Sequence, residues 1–376
     1  MTFRRSAPAA LIVAVIIVVA GLTFVTHHLF SGLTSSIEQS QFQLMQSILD
    51  TALRNAADDA LARADILASL PETRHAIAAR DRERLLAIYS EMFAVQKERR
   101  GVDQVQFHVP PALSLLRLHA PRQFGDDLSR FRPIVASVNQ ERAPRGGLAI
   151  AAGGPAIFGV TPVRDMQGNH AGSVEFGLNF GPLLDGLKAS YGLDFTLFVE
   201  EKSLREFATG IDRAILSDQN RVGRFIRFHT TNAALARELA TDADISSVTE
   251  PARYTRQAQG APYGVLAMPL RDGAGDSLGM IVVSRDFSGS RAAEGRSLIW
   301  QICMAIFAIV ILTGAVLVVI RGFLLRPLEV VDRHFAALAT GEPAEPIDGS
   351  EKFCAEMQSL VGHYDRLREQ KAEPAS

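Results

Sequence analysis

The sequence predicts an α+β fold held between two apolar helices, and three observations point to it. Two long apolar segments, 9–25 and 298–320, bracket the middle of the chain. After Gly101 the texture changes from helical spacing to the alternation of strands. A hairpin-like motif, P-[VL]-R-D-x-x-G-x-x-x-G, occurs twice, from Pro162 to Gly172 and from Pro269 to Gly279. Apolar runs flank both copies, which predicts two related modules in tandem rather than one sheet. In each copy Asp and the first Gly supply turn geometry, and the second Gly opens the return strand.

Composition narrows the class. The chain has 376 residues, 47% of them hydrophobic, and 39 basic against 41 acidic side chains. That length leaves room for about two domains beyond any apolar spans. A net charge of -2 offers no clustered basic face, so no nucleic-acid partner is expected. Cys303 lies in the second apolar run and Cys354 beyond it, so the middle of the chain holds no disulfide and no thiolate zinc site. The sequence has no H-E-x-x-H or P-loop. His27 and His28 read as interfacial, and no histidines pair at helical i, i+4 spacing. Neither an enzyme, a cofactor nor a metal site is expected.

The elements follow in order. Residues 1–8 carry Arg4 and Arg5 ahead of the first apolar segment, and Pro8 stands where a helix start tolerates proline. The apolar stretch exceeds the usual core of a signal peptide, and no A-x-A site follows, so 9–28 is expected to stay as a membrane anchor. The second apolar run, 298–320, is long enough to cross a core of about 30 Å. Arg321, Arg326 and Arg333 follow it, and the positive-inside rule then puts both termini in the cytoplasm, with residues 29–297 outside. From about Phe30 to Arg100 the chain is rich in Ala, Leu, Gln, Glu and Arg, with Ile37, Leu44, Ile48 and Leu53 at helical spacing. This predicts a long helix, a break near Pro71, and a further helix over about Arg82–Lys97.

Beyond Gly101, strands are expected at Val102–Val109 and Leu113–His119, joined tightly at Pro110-Pro111. A helix over about Leu128–Asn139 precedes strands near Leu148–Ala151, Ala156–Val163 and Gly172–Asn179. A helix over about Leu183–Ser190 then leads to a strand at Phe195–Val199. Parity places Val105, Phe107 and Val109 on one face of the first strand and Gln104, Gln106 and His108 on the other. Leu116 and Leu118 share a face of the second strand, with Arg117 and His119 opposite, beside Leu113 and Leu115. One face must meet the core, so the polar face meets solvent or a cavity. Arg117, His119 and Gln106 together would form donors suited to a carboxylate. An ordinary solvated sheet face explains the same parity, with Asp126 or Asp127 capping the helix that follows.

Several stretches resemble the double Cache sensor domains of bacterial chemoreceptors and two-component sensor kinases. They are Gln106-Phe107-His108, Leu116-Arg117-Leu118-His119, Phe124-Gly125-Asp126-Asp127-Leu128-Ser129, Phe131-Arg132, and Gly172-Ser173-Val174-Glu175-Phe176-Gly177-Leu178. The resemblance covers about residues 30–290 and implies two stacked PAS-like modules on a long N-terminal helix, a distal one over about 70–190 and a proximal one over about 191–290. It further implies a small ligand in the distal module. The residues expected to hold it are Arg117 as anchor of a carboxylate, His119, His108, Gln106 and Arg132 as further donors, and Asp126 and Asp127 for an amine.

After the second apolar run, Arg326-Pro327-Leu328 is similar to the opening of a HAMP linker, spanning 321–370 before a tail at 371–376. Leu328, Val331, Phe335 and Leu338 form one heptad seam, and Phe353, Met357, Leu360, Tyr364 and Leu367 another. Pro343 stands where an apolar connector residue is usual. Glu351 resembles the residue that opens the second helix, although Lys352 and Phe353 depart from the pattern. The resemblance implies a homodimeric membrane receptor subunit that signals to a separate cytoplasmic partner, since the remaining residues leave no room for a catalytic output domain. The competing expectation is a membrane scaffold whose outer domain binds another envelope protein, or a shortened chemoreceptor without output.

Overall fold

The computed structural model describes residues 3–130, 132–273, 275–340 and 345–372. Phe131 and Pro343, both named above, lie outside them. The chain divides into two compact units, residues 36–290 and residues 1–35 with 291–376.

In the 36–290 unit, helix α1 (Phe3–Ser69) contributes its C-terminal part and ends ahead of Pro71, as the proline predicts. Helix α2 (Pro71–Ala78) places Pro71 in its first turn, and α3 (Arg82–Arg100) is capped by the Asp81 side chain on the Arg84 amide. Gly101 closes α3 in the left-handed conformation (φ 67°), which a side chain would strain. Strands β1 (Val102–Val109) and β2 (Leu113–Arg117) pair antiparallel across a cis Pro110-Pro111 bond. Next come α4 (Pro133–Glu141), β3 (Arg145–Ala151), β4 (Gly154–Arg164), β5 (His170–Asn179) and α5 (Phe180–Tyr191). The first sheet has the order β2-β1-β5-β4-β3.

A second sheet follows, from β6 (Asp194–Glu200), α6 (Glu201–Phe207), β7 (Arg221–Val222), β8 (Phe225–Thr230), α7 (Ala233–Leu239), α8 (Asp242–Ile245), β9 (Ala252–Ala258), β10 (Ala261–Arg271) and β11 (Ser277–Asp286). Its order is β7-β8-β6-β11-β10-β9. Without the two-residue β7, this repeats the first sheet strand for strand.

The twin motif is the reason. In both copies the Asp carbonyl accepts from the first Gly amide, at 3.1 Å, and the preceding Arg reaches across to that Gly carbonyl (Arg164 to Gly168, Arg271 to Gly275). Gly168 and Gly275 take φ near +90°, and each hairpin shifts register just before the turn. The second Gly of each motif packs directly on the neighbouring first strand of its module. A Cβ on Gly172 would fall 2.1 Å from the His108 carbonyl, and one on Gly279 2.0 Å from that of Phe198.

Several expected boundaries shift by a few residues, and two of the shifts have a visible cause. Strand β2 stops at Arg117, because the chain turns at Ala120, whose amide bonds the Arg117 carbonyl. Helix α4 starts at Pro133 rather than near Leu128. Leu128 is buried, and its amide is held by the Ala112 carbonyl next to β2 rather than within a helix.

The other unit contains the N-terminal part of α1, then α9 (Ser288–Val319), one π-helical turn (Ile320–Leu325), α10 (Arg326–Thr340) and α11 (Ala355–Ala372). Both α1 and α9 carry stretches long and apolar enough to cross a membrane, with mean hydropathy 2.8 and 3.0 and almost no burial against protein. Helices α10 and α11 pack together around Val331, Ile347, Val361 and Tyr364, with Phe335 edge-on to Tyr364 at 5.3 Å. This core departs from the expected seams. Val361 is buried, whereas Leu328, Leu360 and Leu367 are exposed. Glu351 lies in a short 3₁₀ turn, so it does not open α11.

Candidate functional site

The polar face of the first sheet is buried. Strand register lines up Arg117, Gln106, Glu175 and Val160 in one row, and Gln104, Gly177 and Phe158 in the next. His108 and Ser173 form a third row. The opposite face carries Phe107 against Tyr89 of α3, ring centroids 5.6 Å apart, and helps form the main core. The polar face is covered by α4, through Val135 and Val138 packing on Val160.

Arg132 sits at the start of α4 and reaches into this face. Its Nη2 donates to Glu175 Oε2 at 2.6 Å, with side chains 8% and 1% exposed, and its guanidinium lies 3.8 Å from the Phe158 ring centroid. Burial pushes the Glu175 carboxyl above the usual range, more than the facing Arg132 pulls it down. Buried polar atoms on this face without a hydrogen-bond partner among the described residues include Arg132 Nε, Glu175 Oε1, Gln104 Nε2 and His108 Nε2. Buried polar atoms are normally satisfied, so these atoms would take a further polar partner.

Gln104 and Arg132 open on a cavity of about 460 Å³, together with Gln106, Arg117, His119 and Asp126. Its far side comes from Ala151 at the end of β3, Ala152 of the turn that follows, and Glu206, Phe207 and Thr209, beyond β6 in the second module. The Gly210 amide bonds the Ala152 carbonyl at 2.9 Å and holds that wall in place. Arg117 presents its fork to Asp126, Nη1 to Oδ1 at 2.8 Å and Nη2 to Oδ2 at 2.7 Å, and also donates to the Gln123 carbonyl. This pairing holds the Asp126 carboxyl below the usual range. His119 is depressed to about 4 by burial and by Arg117, and its Nδ1 has no partner among the described residues. It is therefore a neutral group at physiological pH.

Five of the expected residues thus meet at one cavity: Arg117, His119, Gln106, Arg132 and Asp126. The other two do not line it. His108 is fully buried, 3.2 Å from the Ser173 hydroxyl through Nδ1, and burial together with Arg132 lowers it to about 3. Asp127 points to the chain ahead and accepts from the Ser129 amide at 2.8 Å. Gln104 and Glu175 were missed, although alternation offered the signal. Ser173, Glu175 and Gly177 interleave with apolar Val174, Phe176 and Leu178 on β5, in phase with Gln104 and Gln106 on β1. Glu206 and Phe207 had no local signal, since only the contact between modules brings them here.

A larger groove of about 600 Å³ lies between α1 and α5, with Ile48, Asn55, Leu183 and Tyr191 among its walls. None of the buried unpartnered polar atoms among the described residues lies in it, so the smaller cavity has the stronger chemistry. No cluster of three or more His, Cys, Asp or Glu placed to hold a metal occurs among the described residues.

Residues 37–289 match the family described as the double sensory domain of two-component sensor kinase. No curated protein sequence matches the chain. Among solved structures it is similar to the sensor domain of the Vibrio cholerae histidine kinase DctB, at 11% identity and TM-score 0.40, over 68% of this chain and 98% of that one. It is similar to the ligand-binding domain of the Campylobacter jejuni chemoreceptor Tlp3 in complex with 4-methylisoleucine, at 8% identity and TM-score 0.39, over 68% and 92%. An extracellular ligand binding receptor from Desulfohalobium retbaense matches at 16% identity and TM-score 0.35, over 65% of this chain but only 40% of its own length.

Proposed function

This chain belongs to the double Cache family of sensory domains of two-component sensor kinases, and on that premise we propose that it is a membrane-anchored sensor whose first sheet module binds a small polar ligand. The observation that carries the proposal is the pair of buried donors without a partner among the described residues, Arg132 Nε and Gln104 Nε2, on side chains that line the cavity. A ligand that satisfies these atoms gains charge-assisted bonds in a site shielded from water. Three arginines, Arg117, Arg122 and Arg132, outnumber the carboxylates Asp126 and Glu206 on the wall, so the ligand class is a small carboxylate. Arginines lining a cavity favour a sensor over an envelope scaffold, for which an exposed apolar patch would be the better credential.

The apolar stretches of α1 and α9 anchor the chain twice in the inner membrane, both termini in the cytoplasm, as Arg4, Arg5, Arg321 and Arg326 suggest. Residues 36–290 then lie outside the cytoplasm. Signal output is conformational and involves no bond chemistry. Binding shifts the population between two packings, passed along α9 to α10 and α11, which act as a HAMP-like bundle in a homodimer and address a separate cytoplasmic partner. The test is a thermal-shift screen of the purified chain in nanodiscs against small carboxylates and amino acids, repeated on Gln104→Leu. Specific binding raises the unfolding temperature of the native protein and does so less, or not at all, in the variant. Stabilisation that is equal in both proteins places the ligand elsewhere.

A further inference from the structure

Two acid–arginine pairs flank the cavity, and they differ in one respect. Glu175 is 1% exposed and projects from a central strand, so it cannot leave Arg132 without stranding a buried charge. Asp126 has a side chain 52% exposed, on the segment after β2, while the Arg117 it holds is 13% exposed. Its backbone is fixed independently of its carboxylate. The Asp126 carbonyl accepts from the Ser114 amide at 3.0 Å, and the neighbouring Gly125 amide donates to the Ser114 carbonyl at 2.7 Å. Rotation about the Asp126 side-chain bonds therefore releases the carboxylate into water without unpicking the segment. The half-exposed carboxylate regains water as it leaves, so this pair is cheaper to exchange than the fully buried one.

We propose that the Asp126 carboxylate is a tethered stand-in for the ligand, occupying the Arg117 fork until an incoming carboxylate displaces it. This rests on the reading of the cavity as the ligand site and adds what the ligand must do there. The fork of Arg117 is a planar two-donor group at the cavity whose present partner can leave, and it fits two oxygens of a single carboxylate. Gln104 and Arg132, both more than nine-tenths buried, carry the unpartnered donors that take the rest of the molecule. Exchange leaves the net charge of the wall unchanged apart from the freed Asp126 in solvent. It also raises the threshold for response. If the stand-in occupies the fork about nine-tenths of the time, the apparent affinity falls about tenfold.

The sign of one substitution decides the matter. Calorimetry on the full chain in nanodiscs, with acetate, succinate and citrate as probes, compares wild type with Asp126→Asn and Gln104→Leu. Displacement predicts that Asp126→Asn binds the best of these carboxylates about tenfold more tightly, since the amide competes poorly for a guanidinium. In an Arg117→Lys background the same substitution then has no effect, because the fork it vacates is gone. Weaker or unchanged binding by Asp126→Asn overturns the proposal and makes Asp126 a positioning residue. Failure of every probe to bind wild type and Asp126→Asn alike overturns the carboxylate assignment. Binding that Gln104→Leu leaves untouched instead overturns the cavity reading itself.

Discussion

Arg132 and Glu175 meet at 2.6 Å with both side chains less than one-tenth exposed, one from the start of α4 and one from the centre of the first sheet. The pair joins the helix that covers the polar face to the strand that forms it. Removing one partner leaves an uncompensated buried charge, which costs about 3–5 kcal/mol. Replacing both with apolar residues of similar volume costs far less. Chemical denaturation should therefore rank Glu175→Leu and Arg132→Leu as severely destabilised and the double variant as milder than either. Additive losses would mean that the two side chains act separately.

Histidine burial predicts an acid-sensitive fold. His108 titrates near 3 in the folded chain, while an unfolded histidine titrates near 6.5. The unfolded state takes up the proton first, so stability is full above about pH 6.5 and is lost as pH falls toward about 3. The slope is at most about 1.4 kcal/mol per pH unit from this group. Glu175 acts in the opposite sense, because its raised carboxyl protonates first in the folded state. Denaturation midpoints of wild type and His108→Gln, measured between about pH 7 and pH 4, should diverge, with the shallower dependence in the variant.

The repeated glycines are predicted to be intolerant for a shared reason. Gly172→Ala and Gly279→Ala drive a methyl into a carbonyl of the adjoining strand, at 2.1 and 2.0 Å before relaxation. Each should cost on the order of 1–3 kcal/mol as the strands separate locally. Gly168→Ala meets open space but an unfavourable φ of 90°, so its loss should be smaller, nearer 1 kcal/mol. Thermal melts of the three variants test that order.

Leu328, Leu360 and Leu367 stay exposed on the α10–α11 pair while Val331 and Tyr364 fill its core. In a dimer these leucines are the surface available for the facing helices. Leu360→Asp should abolish cross-linking between cysteines introduced singly in the tail and leave the helical circular dichroism unchanged. Cross-linking that persists would mark α11 as an ordinary surface helix.

Topology is open to a direct test. Protease added to intact spheroplasts should cut within residues 36–290 and spare tags at both ends. A soluble outer fragment with a processed N-terminus would mean that the first apolar segment is removed as a signal.

Local pattern by itself determined a great deal here. Two apolar stretches, a helix broken at Pro71, the alternation of β1 and β5, and the doubled hairpin motif were all readable, because each depends on neighbours within a few residues in the chain. The motif even foretold that the second module would repeat the first, although β7 to β9 and their helices, between Val199 and Pro269, carried no comparable mark. Parity likewise placed Arg117 beside Gln106. Only the tertiary structure decided what that face meets. Burial under α4 turned a surface array into a cavity wall, neutralised His108 and His119, and paired Arg132 with Glu175 from 43 residues away. It also gave the Arg117 fork to Asp126 and brought Glu206 and Phe207 across from the second module. Charge and desolvation depend on everything within a few ångströms, whatever its distance along the chain, so those properties belong to the packed molecule and not to any stretch of its sequence.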